Sequence, residues 1–482
     1  MKKSAFSKFG LQDEILKAIE LLNYKQPTNV QSVLIEAMME KNDVVIQSQT
    51  GSGKTAAYAI PVIQMLDWEE NKPQVLVLAP TRELAMQIKE DVFNIGRFKR
   101  VKVALLIGKT PYSVQVSELK QKTHVVVGTP GRILEHIEDG TLDLSGIRFL
   151  IIDEADEMLN LGFIPTMDQI LKSVPKKRQT VLASATIPPA IDKMIKSYSR
   201  DPQMIRIEDE NKVSDRIEQY KMDVVATDKL RSLKEVITME NPDSCIIFAN
   251  QKATVDDICW ELTDLHYPVY KLHGGLEQVD RTTVINDFKR GAFRYLVATD
   301  VAARGLDIDG VSLIINYDPP LESEMYVHRI GRTGRFDKLG KAITFVNRNQ
   351  GKYINNIENF IEQSLLVYEQ PTTAMLNAAK PEFAYKKATL TPVKAKKGSA
   401  LNAGIMQLQI RAGKQAKIRA VDIVGSLCGL SGMSAQDIGV IQIGELFTDV
   451  EILNHKGAQV LDQLQTTPIK GKLRRVIKVQ SK

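Results

Sequence analysis

The sequence predicts an α/β protein made of two tandem domains with parallel sheets, followed by a small C-terminal α+β domain. Three observations lead there. β-branched apolar runs alternate with helix-length stretches over residues 40–205, the same texture returns between Ser244 and Val346, and after about Leu366 it gives way to shorter segments in the order βαββαβ. Runs that are apolar throughout, rather than alternating, belong to strands buried on both faces, as in a parallel sheet covered by helices.

In the first domain (1–206) the runs are DVVIQ, QVLVLAP, VKVALLIG, HVVVGTP, RFLIIDEAD and TVLASAT. The second domain (215–366) repeats the pattern with SCIIFAN, YPVYKLHG, RYLVATD, LIINYD and GKAITFV. Between them the polar stretch RIEDENKVSD marks the boundary. Residues 367–403 combine prolines with Lys386, Lys387, Lys394, Lys396 and Lys397, which reads as a flexible basic linker. Beyond it, in 404–482, MQLQI, GVIQIG, DVEIL and LRRVIKVQ read as strands, while AVDIVGSLCGL and AQVLDQLQ read as helices. That order is the ferredoxin-like plan of RRM-type RNA-binding domains. The aromatic platform on which such sheets stack bases is missing, since Phe447 is the only aromatic residue after Tyr385.

A chain of 482 residues has room for about three domains. With 43% hydrophobic and 25% charged residues it falls in the ordinary globular range. No apolar run approaches the roughly 18 to 20 residues that span a bilayer, and charged residues interrupt the first twenty-two where a signal peptide needs an apolar core. A cytoplasmic protein, monomeric and without a membrane partner, is expected. Cys245, Cys259 and Cys428 are too few and too scattered for a disulfide framework or a zinc site. From Lys380 to Lys482 there are 17 Lys and Arg against 7 Asp and Glu, a net of +10, whereas the rest of the chain carries 47 against 51. A basic block on a near-neutral body is the footprint of a polyanion partner, nucleic acid first.

Chemistry concentrates in two places. SQTGSGKT (48–55) follows an apolar run and precedes a helical stretch. Its glycines allow backbone N–H groups to turn inward around phosphate, Lys54 reaches the outer phosphates, and Thr55 is placed to ligate Mg²⁺. Ser48, Gln49, Thr50, Gly51, Ser52, Gly53, Lys54 and Thr55 are therefore nucleotide-binding candidates. Asp153 and Glu154 end the run RFLII, where a carboxylate beside a P-loop anchors Mg²⁺, partly through water, and its neighbour orients the attacking water.

With these residues the chain resembles the DEAD-box RNA helicases over nearly all of residues 1–365. The resemblance rests on Phe6, NYKQPTNVQ ending at Gln31, PTRELA from Pro80, TPGR from Thr129, DEAD from Asp153, SAT from Ser184, ATDVAARGLD from Ala298 and YVHRIGRTGR from Tyr326. It departs at Asn23, where a glycine is common, and at Gly108–Lys109, where many members have two glycines. The resemblance implies two RecA-like P-loop domains and ATP as the nucleotide. Gln31 would read adenine, Tyr24 would stack on it, and Phe6 and Asp307 would border the nucleotide. Arg332 and Arg335 look like arginine fingers carried by the second domain. Ser184, Thr186, Asp300 and His328 resemble positions coupling nucleotide state to domain closure.

RNA-facing candidates are Arg82, Thr129, Gly131 and Arg132 in the first domain and Arg281, Thr299 and Arg304 in the second. Their hydroxyls, guanidinium groups and backbone N–H groups suit phosphate and 2′-hydroxyl contacts, not base edges. Specificity then falls to the C-terminal domain. Through IRAVDIVG, DIGVIQI, VEILNHKG and TPIKGKLRRVIKV it resembles that of the DbpA and YxiN subgroup of bacterial DEAD-box proteins. That subgroup implies tethering to a 23S rRNA hairpin of the large-subunit precursor. Arg411, Lys414, Lys417, Arg419, Lys472, Arg474 and Arg475 are the candidate contacts. Local duplex unwinding driven by ATP is the expected activity, and an ATP-gated RNA clamp acting as a stoichiometric assembly factor is the alternative.

Overall fold

The computed structural model describes residues 5–48, 52–207, 216–300, 308, 310–334, 339–389, 399–402 and 404–479. The chain divides into two compact units, one made of residues 1–207 and 396–482, the other of 208–395.

In the first unit, β1 (Val44–Gln47), β2 (Val75–Leu78), β3 (Val103–Leu106), β4 (Val125–Gly128), β5 (Phe149–Ile152), β6 (Gln179–Ser184) and β7 (Gln203–Arg206) form one parallel sheet in the order β3-β4-β2-β5-β6-β1-β7. Val44, Ile46, Val75 and Val77 enter one core, while Val45, Leu76 and Leu78 enter the core on the other face. Because alternate residues face two dry layers, the strands read as unbroken apolar runs.

The second unit repeats this plan with β8 (Ile217–Asp223), β9 (Cys245–Phe248), β10 (Val269–Leu272), β11 (Tyr295–Ala298), β12 (Leu313–Asn316), β13 (Gly340–Val346) and β14 (Leu366–Val367), in the order β10-β11-β9-β12-β13-β8-β14. β7, β8 and β14 were absent from the sequence expectation. They lie at or next to a sheet margin, where β7 is mostly exposed and β8 alternates buried with open positions, so none offers a continuous apolar run.

The stretch read as a flexible basic linker is corrected by the structure. Residues Thr373–Ala388 form one helix that runs through Pro381. A proline there removes a helical hydrogen bond, and tertiary contacts offset the loss. Phe383 is buried in the core of the second unit, Arg294 donates to the Lys386 carbonyl at 2.8 Å, and the Lys386 ammonium pairs with Asp243 at 2.7 Å. Ser399–Asn402 form a further short helix, and its Leu401 belongs to the core of the first unit. Lys394, Lys396 and Lys397 lie outside the described residues.

The C-terminal segments fold as β15 (Met406–Ile410), a helix (Ala420–Cys428), β16 (Ile438–Ile443), β17 (Thr448–Ile452), a helix (Gly457–Gln463) and β18 (Val476–Lys478). The antiparallel order β16-β17-β15-β18 is that of a ferredoxin-like sheet. Leu408, Ile410, Val450 and Ile452 pack with Ile423, Leu427 and Val460 of the helices. The other sheet face is polar, and Gln409 donates to Asp449 at 3.0 Å across it. Gln407, Gln442, Asp449 and Glu451 line a cavity of about 220 Å³ together with Lys89, Phe93, Lys102 and Lys122. Arg97 pairs with Glu451 at 3.1 Å there, both side chains largely buried. An acidic and amide-rich face therefore meets a basic flank of the first domain.

Candidate functional site

The order β5-β6-β1 places three loops side by side at the C-terminal edge of the first sheet: DEAD after β5, SAT after β6 and the P-loop after β1. The Ser48 N–H donates to the Ser184 carbonyl at 3.1 Å, which ties the P-loop to SAT. Gly53 has φ of +89°, a backbone conformation in which an L side chain is strained, and a Cβ there would also push the Gln31 amide, whose nitrogen would stand 2.8 Å away. Lys54 opens the helix Lys54–Met65, and its ammonium donates to the Ser48 carbonyl at 2.6 Å. Ser48 and Ser52 hydroxyls lie 3.1 Å apart. Gln49, Thr50 and Gly51 lie outside the described residues.

Gln31 sits three residues after Thr28 in a reciprocal cap. Its N–H donates to the Thr28 hydroxyl at 3.2 Å, and its side-chain oxygen accepts the Thr28 N–H at 3.0 Å. Thr28 also donates its hydroxyl to the Ser52 carbonyl at 3.1 Å, linking this cap to the P-loop. The cap uses one lone pair of the Gln31 oxygen and leaves its amide nitrogen uninvolved. Phe6 is buried in the same core cluster against which Tyr24 packs.

Asp153 is buried at the end of β5. The Tyr58 phenol donates to its Oδ2 at 2.9 Å, and the Glu154 N–H donates to its Oδ1 at 3.0 Å. Burial pushes the Asp153 carboxyl up, while the Lys54 ammonium opposes that rise. Burial, reinforced by the Asp153 charge, holds the Tyr58 phenol well above its ordinary value, so it remains a donor. Glu154 adopts φ 49° and ψ 57°, a left-handed conformation that costs a non-glycine residue about 1 kcal/mol. The Thr55 hydroxyl and Asp153 carboxylate are hard oxygen donors. They fit Mg²⁺, which takes one or two protein ligands and completes its shell with phosphate oxygens and water.

Asp156, to which motif spacing assigns no role, joins DEAD to SAT. Its Oδ2 accepts the N–H groups of Ala185 and Thr186 at 3.1 and 2.8 Å and the Thr186 hydroxyl at 3.1 Å. In return the Asp156 N–H donates to the Ser184 hydroxyl at 3.2 Å, which itself donates to the Thr186 carbonyl at 2.6 Å. Four hydrogen bonds thus tie the two loops together. The signal is present in the sequence, a carboxylate two residues past Glu154, but no composition rule assigns it a partner. Tyr58 and Thr28 escape sequence reasoning for the same reason.

Along the same edge, Arg82 begins the helix after β2, while Thr129, Gly131 and Arg132 open the helix after β4. Arg132 pairs with Glu135 at 3.0 Å, and no atom crowds Gly131. Both departures from the family pattern keep the backbone that glycine serves. Asn23 has φ of +61° and Lys109 of +62°.

In the second unit, Thr299 and Asp300 follow β11. Asp300 accepts two bonds from Arg329, at 2.5 and 2.6 Å. Arg329 also donates to Asn316, Asn250 and the Asp318 carbonyl, and it is 1% exposed. It is the first arginine of HRIGRTGR, a residue that the sequence expectation, which favours the later two, leaves without a role. His328 lies on the same helix, Ser323–Ile330, and Arg332 is buried just past its end. Arg281 and Thr299 are nearly buried. Arg304, Asp307 and Arg335 lie outside the described residues.

At one end of the C-terminal domain the candidate cations gather. The Arg411 N–H donates to the Arg475 carbonyl at 2.9 Å, joining the strand ends that carry them. Lys470 donates to the Lys417 carbonyl. Gly413 approaches the Gly444 and Glu445 carbonyls too closely for any Cβ, and so lets the loop bearing Lys414 and Lys417 close over them. Arg411, Lys417, Arg419, Lys472 and Arg475 are exposed, and Lys414 and Arg474 are half-buried.

Three family models match the chain: DEAD/DEAH box helicase over residues 28–194, helicase conserved C-terminal domain over 228–337, and DbpA RNA binding domain over 407–478. The ATP-dependent RNA helicase DbpA of Bacillus subtilis (strain 168) is 49% identical over 475 residues, covering 98% of this chain and 99% of that protein. The DEAD-box ATP-dependent RNA helicase CshA of Geobacillus kaustophilus (strain HTA426) is 40% identical, over 77% of this chain and 79% of that one. Among solved structures, Saccharomyces cerevisiae Dbp5 bound to RNA and ADP BeF3 covers 80% of this chain and 100% of its own at 29% identity, with a TM-score of 0.69.

Proposed function

Because the chain belongs to the DEAD-box ATP-dependent RNA helicases of DbpA type, we propose that it separates short RNA duplexes locally at a 23S rRNA hairpin, to which its C-terminal domain directs it during assembly of the large (50S) ribosomal subunit. It would do so as a cytoplasmic monomer, where Cys245, Cys259 and Cys428 persist as thiols. The observation that carries this reading is the shared edge of the first sheet. P-loop, DEAD and SAT are hydrogen-bonded to one another at β1, β5 and β6, and the RNA candidates Arg82, Thr129, Gly131 and Arg132 sit at β2 and β4. One row of strand ends thereby serves nucleotide and nucleic acid.

In this reading Lys54 and the P-loop N–H groups hold the phosphates, with Thr55 and Asp153 holding Mg²⁺. Bound there, Mg²⁺ neutralises charge on the phosphates. Glu154 orients the attacking water, and Arg332 and Arg335 stabilise the charge that develops on the transferring group. Asp156 passes the state of the DEAD loop to Ser184 and Thr186. The core grips the sugar-phosphate backbone, while the cation cluster from Arg411 to Arg475 recognises a folded RNA through phosphates and 2′-hydroxyls.

The test compares ATP hydrolysis stimulated by large-subunit rRNA fragments with that by unstructured RNA of equal length, and counts strands separated per protein. Preferential stimulation with many separations per molecule is expected. Equal stimulation removes the rRNA target, and retention for a single round identifies a clamp.

A further inference from the structure

We propose that Tyr58 is a positioning residue for the metal-anchoring carboxylate: its phenol fixes Asp153 in the orientation from which Asp153 holds the Mg²⁺ shell. This rests on the nucleotide-site reading above. Tyr58 lies three residues after Thr55 on the helix Lys54–Met65, so the two side chains share one helix face, and that face is turned to the end of β5. The phenol is fully buried among the apolar residues of the first core, yet its oxygen reaches Asp153 Oδ2 at 2.9 Å.

The two carboxylate oxygens are thus held by different elements. Oδ2 takes the phenol from the P-loop helix, and Oδ1 takes the Glu154 N–H from the turn that carries the water-orienting carboxylate. With one donor on each oxygen the carboxylate cannot rotate about its Cβ–Cγ bond without breaking a bond. Lone pairs remain on both oxygens for waters of a metal shell. Partners that orient a metal-site carboxylate typically contribute about 10- to 100-fold to metal affinity. Tyr58 also connects the helix that follows the phosphates to the strand that anchors the metal. No motif rule looks for it, because its sequence neighbourhood AAYAIP reads as buried helix.

The test uses the full chain and the isosteric substitution Tyr58→Phe, which removes one oxygen and leaves the packing. Binding of a fluorescent ADP analogue is titrated with Mg²⁺ and repeated in chelator. The Mg²⁺ concentration giving half-maximal tightening should rise at least fivefold, with nucleotide affinity in chelator unchanged within twofold. In an Asp153→Asn background Tyr58→Phe should have no further effect on the Mg²⁺ midpoint, because the phenol acts through that carboxylate. A midpoint that moves less than twofold in the native background, or a full effect that persists with Asp153→Asn, would overturn the proposal. Should the unmodified protein bind the ADP analogue without regard to Mg²⁺, the nucleotide-site reading itself fails.

Discussion

The nucleotide edge of the first sheet and the basic end of the C-terminal domain build function in opposite ways. At the edge, Lys54, Asp153, Asp156 and Ser184 are covered or partly covered, and each is held by hydrogen bonds: Lys54 donates to the Ser48 carbonyl of its own loop, Asp153 accepts from Tyr58 of the helix after the P-loop, and Asp156 and Ser184 bond across the DEAD and SAT loops. At the C-terminal end, Arg411, Lys417, Arg419, Lys472 and Arg475 are exposed to solvent on strand ends and loops joined by backbone hydrogen bonds. Phosphoryl transfer needs atoms placed within fractions of an ångström. Affinity for a polyanion needs charge at the surface, where counterions are released on binding. Single substitutions should therefore be catastrophic at the edge and graded at the C-terminal end.

Four predictions sharpen that contrast. Arg332→Ala should slow ATP hydrolysis by about 10³- to 10⁵-fold, the span known for finger arginines, with the melting temperature measured alongside to show a folded chain. Residual activity within tenfold would remove Arg332 from the chemistry. Glu154→Gln should lower turnover by about 10²- to 10⁴-fold and leave ATP binding within a few fold, so that RNA stays trapped in a filter-retention assay.

Charge reversal of Lys417, Arg419, Lys472 and Arg475 to Glu, one at a time, should weaken binding of large-subunit rRNA fragments in steps. Each substitution should flatten the plot of log affinity against log salt by about one unit for every phosphate left unneutralised. ATP hydrolysis at saturating generic RNA should not change.

The smallest effect concerns the pair between Arg97 and Glu451. Burial pushes the Glu451 carboxyl up despite the opposing Arg97 charge, so ionising it costs folding free energy. For an acid whose folded pKa is raised, that penalty is present above the folded pKa and is relieved as pH falls through it. Arg97→Met with Glu451→Leu should accordingly melt no lower than the parent at neutral pH. Glu451→Leu alone should melt several degrees lower, because it strands a buried guanidinium.

The parallel strands were legible because both faces are dry, and the nucleotide loops because backbone cradles demand glycine at set spacings. Margin strands β7, β8 and β14 were not, since β7 is mostly exposed, both residues of β14 are exposed and β8 alternates, so none shows a continuous apolar run. The helix through Pro381 was not, because its stability resides in Phe383 and Arg294 contacts that lie far apart in sequence. In the site itself, the residues proposed to touch phosphate come from motif spacing. Residues that touch those residues, such as Tyr58 and Asp156, do not, because their partners lie on other strands. Asn23 and Lys109 show the converse: the letters depart from the family while the left-handed backbone stays.

The first unit is discontinuous in the chain, residues 1–207 being joined by 396–482 with all of the second unit between them. On the ribosome its sheet emerges early, yet Leu401 and the strand bearing Glu451 follow only after the whole of the second unit. At roughly 5 to 20 residues per second, the basic flank around Arg97 waits on the order of tens of seconds for its cover. During that interval the nascent first domain presents an unshielded cationic surface beside ribosomal RNA, and emergence of the strand bearing Glu451 is what closes it.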